Sequence, residues 1–289
     1  MKKLRLRMLV ARNIGFCKGV KRAVEITERT LSENPGREVY SLGPVIHNPE
    51  AMLRLSELGL KTAKSVSNIP PRSILILPSH GTPASIIALA VKKRLMLVDV
   101  TCPHVASVRK ICADLCARKR KVLIVGEAAH AEIKALKDSA PGCIIIENEE
   151  QVPEGLFSSG KIGIISQTTQ SKDRFFGIVG KILKKNPLVK EVDIFNTVCR
   201  DTAGRQEEAK ELAAQVDLLL VIGSSTSANT RRLVEIGGSV NGNTHLVEKT
   251  AGYLTDKIKG ARSIGVISGA STPSWLIEEV IGCIKKKNG

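Results

Sequence analysis

Apolar residues in this chain gather in short runs rich in Val, Ile and Leu. Between the runs lie longer stretches in which apolar positions recur every three or four residues. A short continuous apolar run bounded by turn residues reads as a strand buried on both faces, and the 3.6-residue recurrence reads as an amphipathic helix. The runs predict strands over 4–10, 38–42, 74–77, 95–101, 121–125, 143–147, 161–165, 192–197, 217–222, 245–248 and 263–267. The recurrence predicts helices over 20–33, 84–93, 104–118, 172–185, 203–215, 229–237 and 274–286. In the first of these, Val20, Ala23, Val24, Thr27 and Leu31 share one face. Strands that alternate with helices along a whole chain imply α/β units with parallel sheets.

The most informative polar positions lie where strands end. Cys17 follows the glycine turn Gly15-Phe16 and opens a helix; Cys102 closes a strand-like run and precedes Pro103; Cys199 closes 192–197 and precedes another helix. In parallel α/β units the carboxyl ends of strands converge on one crevice. Three thiols delivered there can hold an iron–sulfur cluster with one ligand fewer than the usual four, leaving one iron open. A zinc site is the competing reading, weakened by the lack of any Cys-x-x-Cys pair. The three cysteines fall at intervals of 85 and 97 residues, which suggests three similar units over 1–101, 102–198 and 199–289. No sequence repeat and no linker separates them. Cys112, Cys116, Cys143 and Cys283 sit in apolar stripes and read as core.

Composition narrows the setting. The 289 residues carry 7 cysteines, an odd number, and no apolar stretch near the length of a membrane span. The basic start Met1–Arg7 lacks the apolar run of a secretory signal. These features point to a reducing cytoplasm, with no membrane partner and thiols used for metal or reactivity. The net charge of +16 favours anionic partners. Nucleic acid is a poor candidate, because no binding motif and few stacking aromatics are present.

Three histidines enter helices from strand ends: His47 before Asn48-Pro49, His80 in Ser79-His80-Gly81, and His130 before Ala131-Glu132. Imidazole donors and helix N-termini suit an anion such as phosphate; a three-His zinc site is the alternative. Two hydroxyl-rich turns, one with Ser227 and Asn229 and one with Ser271, can add neutral donors or act only as N-caps. No nucleotide-binding glycine motif is present. Glu132 is a candidate proton donor, with Thr168 and Thr169 placed to orient it. Its position at a helix start is expected to hold its pKa low. His104 and His245 read as structural.

Taken in order, Gly15-Phe16-Cys17-Lys18-Gly19-Val20-Lys21-Arg22-Ala23, Ile46-His47-Asn48-Pro49, Ser79-His80-Gly81, Thr101-Cys102-Pro103, Gln167-Thr168-Thr169, Val198-Cys199 with Arg205-Gln206, and Gly269-Ala270-Ser271 resemble the LytB/IspH family of hydroxymethylbutenyl diphosphate reductases. The resemblance implies a three-lobed α/β trefoil around a central 4Fe–4S cluster. It implies Cys17, Cys102 and Cys199 as cluster ligands. It implies a diphosphate pocket of His47, His80, His130, Ser227, Asn229 and Ser271, with Glu132 as acid and Thr168 ordering the substrate hydroxyl. The implied reaction removes an allylic hydroxyl as water with two electrons and two protons, drawn from ferredoxin or flavodoxin. Pro78, Ala131 and Ala228 depart from the family pattern, and Ala228 removes one hydroxyl from the expected pocket.

Overall fold

The computed structural model describes residues 6–155, 160–249 and 257–286. Its strands are β1 (Arg7–Val10), β2 (Val39–Leu42), β3 (Leu60–Ala63), β4 (Ile74–Leu77), β5 (Met96–Asp99), β6 (Lys121–Val125), β7 (Ile144–Ile146), β8 (Lys161–Ser166), β9 (Glu191–Ile194), β10 (Leu218–Ile222), β11 (Thr244–Val247) and β12 (Ser263–Ser268). Its α-helices are α1 (Lys18–Glu33), α2 (Pro49–Glu57), α3 (Ala84–Lys92), α4 (Pro103–Ala117), α5 (Ala131–Ser139), α6 (Lys172–Lys185), α7 (Arg200–Ala213), α8 (Ala228–Val240) and α9 (Ser274–Lys286).

The strands form three four-stranded sheets, in the orders β3-β2-β4-β5, β7-β6-β8-β9 and β11-β10-β12-β1. Every pairing is parallel. All three sheets share one topology. In each the chain runs from an inner strand to one edge and back across to the other inner strand; the far edge is filled last in the first two sheets and first, by β1, in the third. The order reverses between the two inner strands, and loops beyond the carboxyl ends of such a pair are where α/β sheets hold ligands.

The three-unit parallel α/β organisation expected from the sequence is the one found, with one difference in its boundaries. β1, expected to open the first unit, pairs with β12, Met8 opposite Ile264 and Val10 opposite Val266. It is the far-edge strand of the last sheet, where β5 and β9 stand in the other two. All three far-edge strands show the same burial, exposed at both ends and half-buried between. The sheets therefore occupy 39–99, 121–194, and 218–268 together with 7–10.

The chain divides into two compact units, Met1–Lys21 with His47–Leu53 and Arg200–Gly289, and Arg22–Ile46 with Arg54–Cys199. In the first unit, β10 sends Leu218, Leu220 and Ile222 to one core, with Val266 and Val280. It sends Leu219 and Val221 to the opposite core, with Ala209 and Leu233. In the second, β6 splits likewise between Phe175 and Ile178 on one side and Cys112 and Leu115 on the other. Both faces of β6 and β10 are thus dry, which is why they read as continuous apolar runs. No helix of the described residues is long and apolar enough to cross a membrane.

Candidate active site

Each sequence-selected side chain lies on a loop, or in a first helical turn, beyond the carboxyl end of a strand. His47, His130, and Ser227 with Asn229 follow the first inner strands β2, β6 and β10. His80, Thr168 and Ser271 follow the second inner strands β4, β8 and β12. The three cysteines follow the far-edge strands β1, β5 and β9. Each cysteine immediately precedes a helix, α1, α4 or α7, and each is half-buried. Its amide donates to a carbonyl on the neighbouring second-inner-strand loop. Cys17 N–H reaches Ala270 O at 3.0 Å, Cys102 N–H reaches Ser79 O at 2.9 Å, and Cys199 N–H reaches Thr168 O at 2.9 Å. One backbone bond, repeated three times, sets each cysteine beside Ser271, His80 or Thr169.

None of the seven cysteines is in a disulfide. Cys112 is fully buried, and burial pushes its thiol up to about 12. Burial also raises Cys143. A protonated thiol in a core is a poor metal ligand. Among the described residues, no three His, Cys, Asp or Glu side chains gather closely enough to hold a metal ion.

In the second unit Glu132 is 2% exposed, in the first turn of α5. Its carboxyl accepts from Thr168 N–H at 2.8 Å and from Thr168 Oγ1–H at 2.7 Å. Burial pushes its pKa from the ordinary 4.5 to about 7, against the lowering by both Thr168 bonds. The low pKa expected from the helix start is not found. A helix end favours a carboxylate by about 0.3–1 kcal/mol, less than the cost of taking the charge out of water. His130 caps the same helix, its Nδ1 accepting from Glu132 N–H at 3.2 Å. The ring proton therefore sits on Nε2.

In the first unit Ser271 Oγ donates to His47 O at 3.0 Å. Burial first and Arg231 second lower the His47 pKa, so its imidazole is neutral. Ser227 caps α8, its Oγ accepting from Thr230 N–H at 3.3 Å, which leaves the hydroxyl proton for another acceptor. Asn229 is 4% exposed, and neither Oδ1 nor Nδ2 has a hydrogen-bond partner among the described residues. A buried amide left without partners costs about 1–3 kcal/mol per group, and such a group calls for a ligand. Ala228, beside it, is buried and offers no hydroxyl.

The chain matches the LytB protein family over residues 8–285. It belongs to the LytB family. Its LytB relatives include the 4-hydroxy-3-methylbut-2-enyl diphosphate reductase of Pelobacter propionicus, 37% identical over 286 residues, which cover 98% of this chain and 100% of that one. The enzyme of the same name from Aquifex aeolicus is 38% identical over 277 residues, 94% of each chain. The chain is also similar to two solved structures. One is the E-1-hydroxy-2-methyl-but-2-enyl-4-diphosphate reductase of Plasmodium falciparum, with a TM-score of 0.89, 27% identity, and coverage of 96% of this chain and 88% of that one. The other is an (E)-4-hydroxy-3-methyl-but-2-enyl diphosphate reductase described as the terminal enzyme of the non-mevalonate pathway. Its TM-score is 0.70 at 36% identity, covering 97% and 99% of the two chains.

Beyond the motifs of this LytB chain that carried an assigned role, the structure brings in residues that sequence reasoning passed over. Gln167 accepts from Glu127 N–H at 2.8 Å and donates to Thr169 Oγ1 at 2.7 Å, so it sets the loop that presents Thr168. Arg205, quoted only as part of a motif, is 2% exposed and fully engaged. Its available signal was Asp201 four residues earlier in the same helix, an i, i+4 ion pair.

Proposed function

We propose that the protein is a cytoplasmic iron–sulfur reductase that converts (E)-4-hydroxy-3-methylbut-2-enyl diphosphate to isopentenyl and dimethylallyl diphosphates. The observation that carries this reading is the buried Glu132 carboxyl, lifted to about 7 and gripped twice by Thr168. A carboxyl that keeps a proton up to about pH 7 can give it to a hydroxyl so that it departs as water. Cys17, Cys102 and Cys199 are the proposed cluster ligands, on the chemistry of three half-buried thiols ahead of helices and their repeated strand-end placement. When bound, a 4Fe–4S cluster would relay the two electrons from the donor one at a time, and its open iron would act as a Lewis acid. His47, His80, His130, Ser227, Asn229 and Ser271 are the proposed diphosphate contacts. Neutral His47 and His130, the Ser227 hydroxyl and the partnerless Asn229 amide bind by hydrogen bonds. They need not place a full positive charge beside the reacting carbons. Thr168 holds Glu132 in one orientation, and its hydroxyl lies where the acid lies. The electron donor is an acidic ferredoxin or flavodoxin, as the charge of +16 suits.

The test is anaerobic reconstitution with iron and sulfide, followed by metal analysis and a substrate-reduction assay. Wild type should bind four irons per chain, the number in the proposed cluster, and turn over the diphosphate. Cys17→Ser, Cys102→Ser and Cys199→Ser should each lose iron. Full iron retention in any of the three variants, or turnover by iron-free wild type, overturns the assignment.

A further inference from the structure

Arg205 has five N–H donors, and the structure uses all of them. Nε donates to Asp201 Oδ2 at 2.8 Å and Nη2 to Asp201 Oδ1 at 3.5 Å. Nη1 donates to Asn13 O at 2.8 Å and Ser268 O at 3.1 Å, and Nη2 to Gly15 O at 2.9 Å. The guanidinium thus ties the loop that leads to Cys17 onto the end of β12. Yet Arg205 belongs to α7, the helix that Cys199 opens.

The same relation occurs twice more. His104 lies in α4, the helix that Cys102 opens, and its Nε2 meets Thr197 O at 3.0 Å, on the loop that leads to Cys199. A carbonyl can only accept, so Nε2 carries the proton. Thr197 is pinned further by its side chain, which accepts from Ser166 N–H at 2.7 Å and donates to Ser166 O at 2.5 Å. Arg22 lies in α1, the helix that Cys17 opens, and its Nη1 donates to Thr101 O at 3.3 Å, next to Cys102.

We propose that Arg22, His104 and Arg205 are positioning residues, each fixing the loop of a cysteine other than the one that opens its own helix. The order closes on itself, from Cys17 to Cys102 to Cys199 and back to Cys17. The arrangement rests on the reading of these cysteines as cluster ligands. Its consequence is that no ligand loop is set by local structure alone. Arg205 is the strongest clamp, being buried and charged; Arg22 is the weakest, being exposed and longer.

The test uses the full chain carrying its cluster, held anaerobically. After an iron chelator is added, the alkylation rate of each cysteine is followed by mass spectrometry. Arg205→Lys keeps the charge but loses the fork, and should speed labelling of Cys17 while Cys199, closer in sequence, keeps its rate. His104→Phe should speed Cys199 and leave Cys102 unchanged, and His104→Gln, which keeps an N–H donor, should restore the wild-type rate. The expected change is about tenfold, the factor set by about 1.4 kcal/mol. If Arg205→Lys does not fold, the His104 variants decide. Faster labelling at the cysteine nearest each substitution, or equally at all three, overturns the proposal. Failure of the underlying cluster reading looks different. Iron loading then gives no protection to these three cysteines in wild type, while the pattern in iron-free variants still reports on the clamps.

Discussion

Glu132 shows how burial outweighs local helix electrostatics at a single residue. A shift from 4.5 to about 7 amounts to about 3 kcal/mol against the ionised form. A carboxyl raised in the folded state contributes stability that is complete below the unfolded value and is lost as pH rises through the folded one. Glu132→Gln should therefore match wild type below about pH 4.5 and be more stable above about pH 7, by about 3 kcal/mol, as urea unfolding at several pH values can show. The same substitution should lower kcat by roughly 10²–10⁴. Wild-type kcat/KM should fall as pH rises through about 7, and the residual activity of Glu132→Gln should lack that limb. Wild-type turnover in the variant would remove Glu132 from the mechanism. The residue's identity was legible from its place beside His130, but its protonation was not. Sequence shows the helix start, whereas the enclosing side chains come from elements far along the chain.

At the level of elements, glycine ends the first inner strand of each sheet, as Gly43, Gly126 and Gly223. At Gly126 the reason is contact. A Cβ there would lie 2.7 Å from Gln167 Cβ and 2.8 Å from Ile133 Cδ1. Gly126→Ala should therefore cost about 1–3 kcal/mol and displace Gln167, lowering kcat through the Thr168 loop; thermal unfolding and kinetics together check this. Gly180, exposed in α6 with nothing within 4 Å, is the control, and Ala there should stabilise by up to about 1 kcal/mol. Cys112→Ala, in the core, should lower stability modestly and keep full iron content, and loss of iron would contradict its assignment to packing. β6 and β10 were legible because both faces are dry. β3 was missed because two of its four residues are exposed. α2 and α5 were given no bounds by periodicity, and only the turns entering them, at His47 and His130, marked their starts. Asn48 does announce α2, its Oδ1 accepting from Ala51 N–H at 3.0 Å ahead of Pro49.

For the whole molecule, the charge of +16 should act on encounter more than on chemistry. The KM for a reduced acidic ferredoxin or flavodoxin should rise with ionic strength, while turnover driven by a small artificial reductant stays flat. Equal salt dependence with both would place the effect at the substrate instead. The three-unit pattern was legible in cysteine spacing, but β1 was assigned by proximity in sequence, and only pairing reveals its true sheet. That pairing has a temporal side. Met8 lies opposite Ile264, and Cys17 donates to Ala270, so the partners of the first strand are translated long after it. At about 5–20 residues per second, a ribosome needs on the order of 10–50 s to connect them. For that interval the nascent chain carries an unpaired edge strand and a cysteine without its anchor. On the proposed reading of Cys17 as a cluster ligand, metal loading there waits until β12 and its following loop have been made.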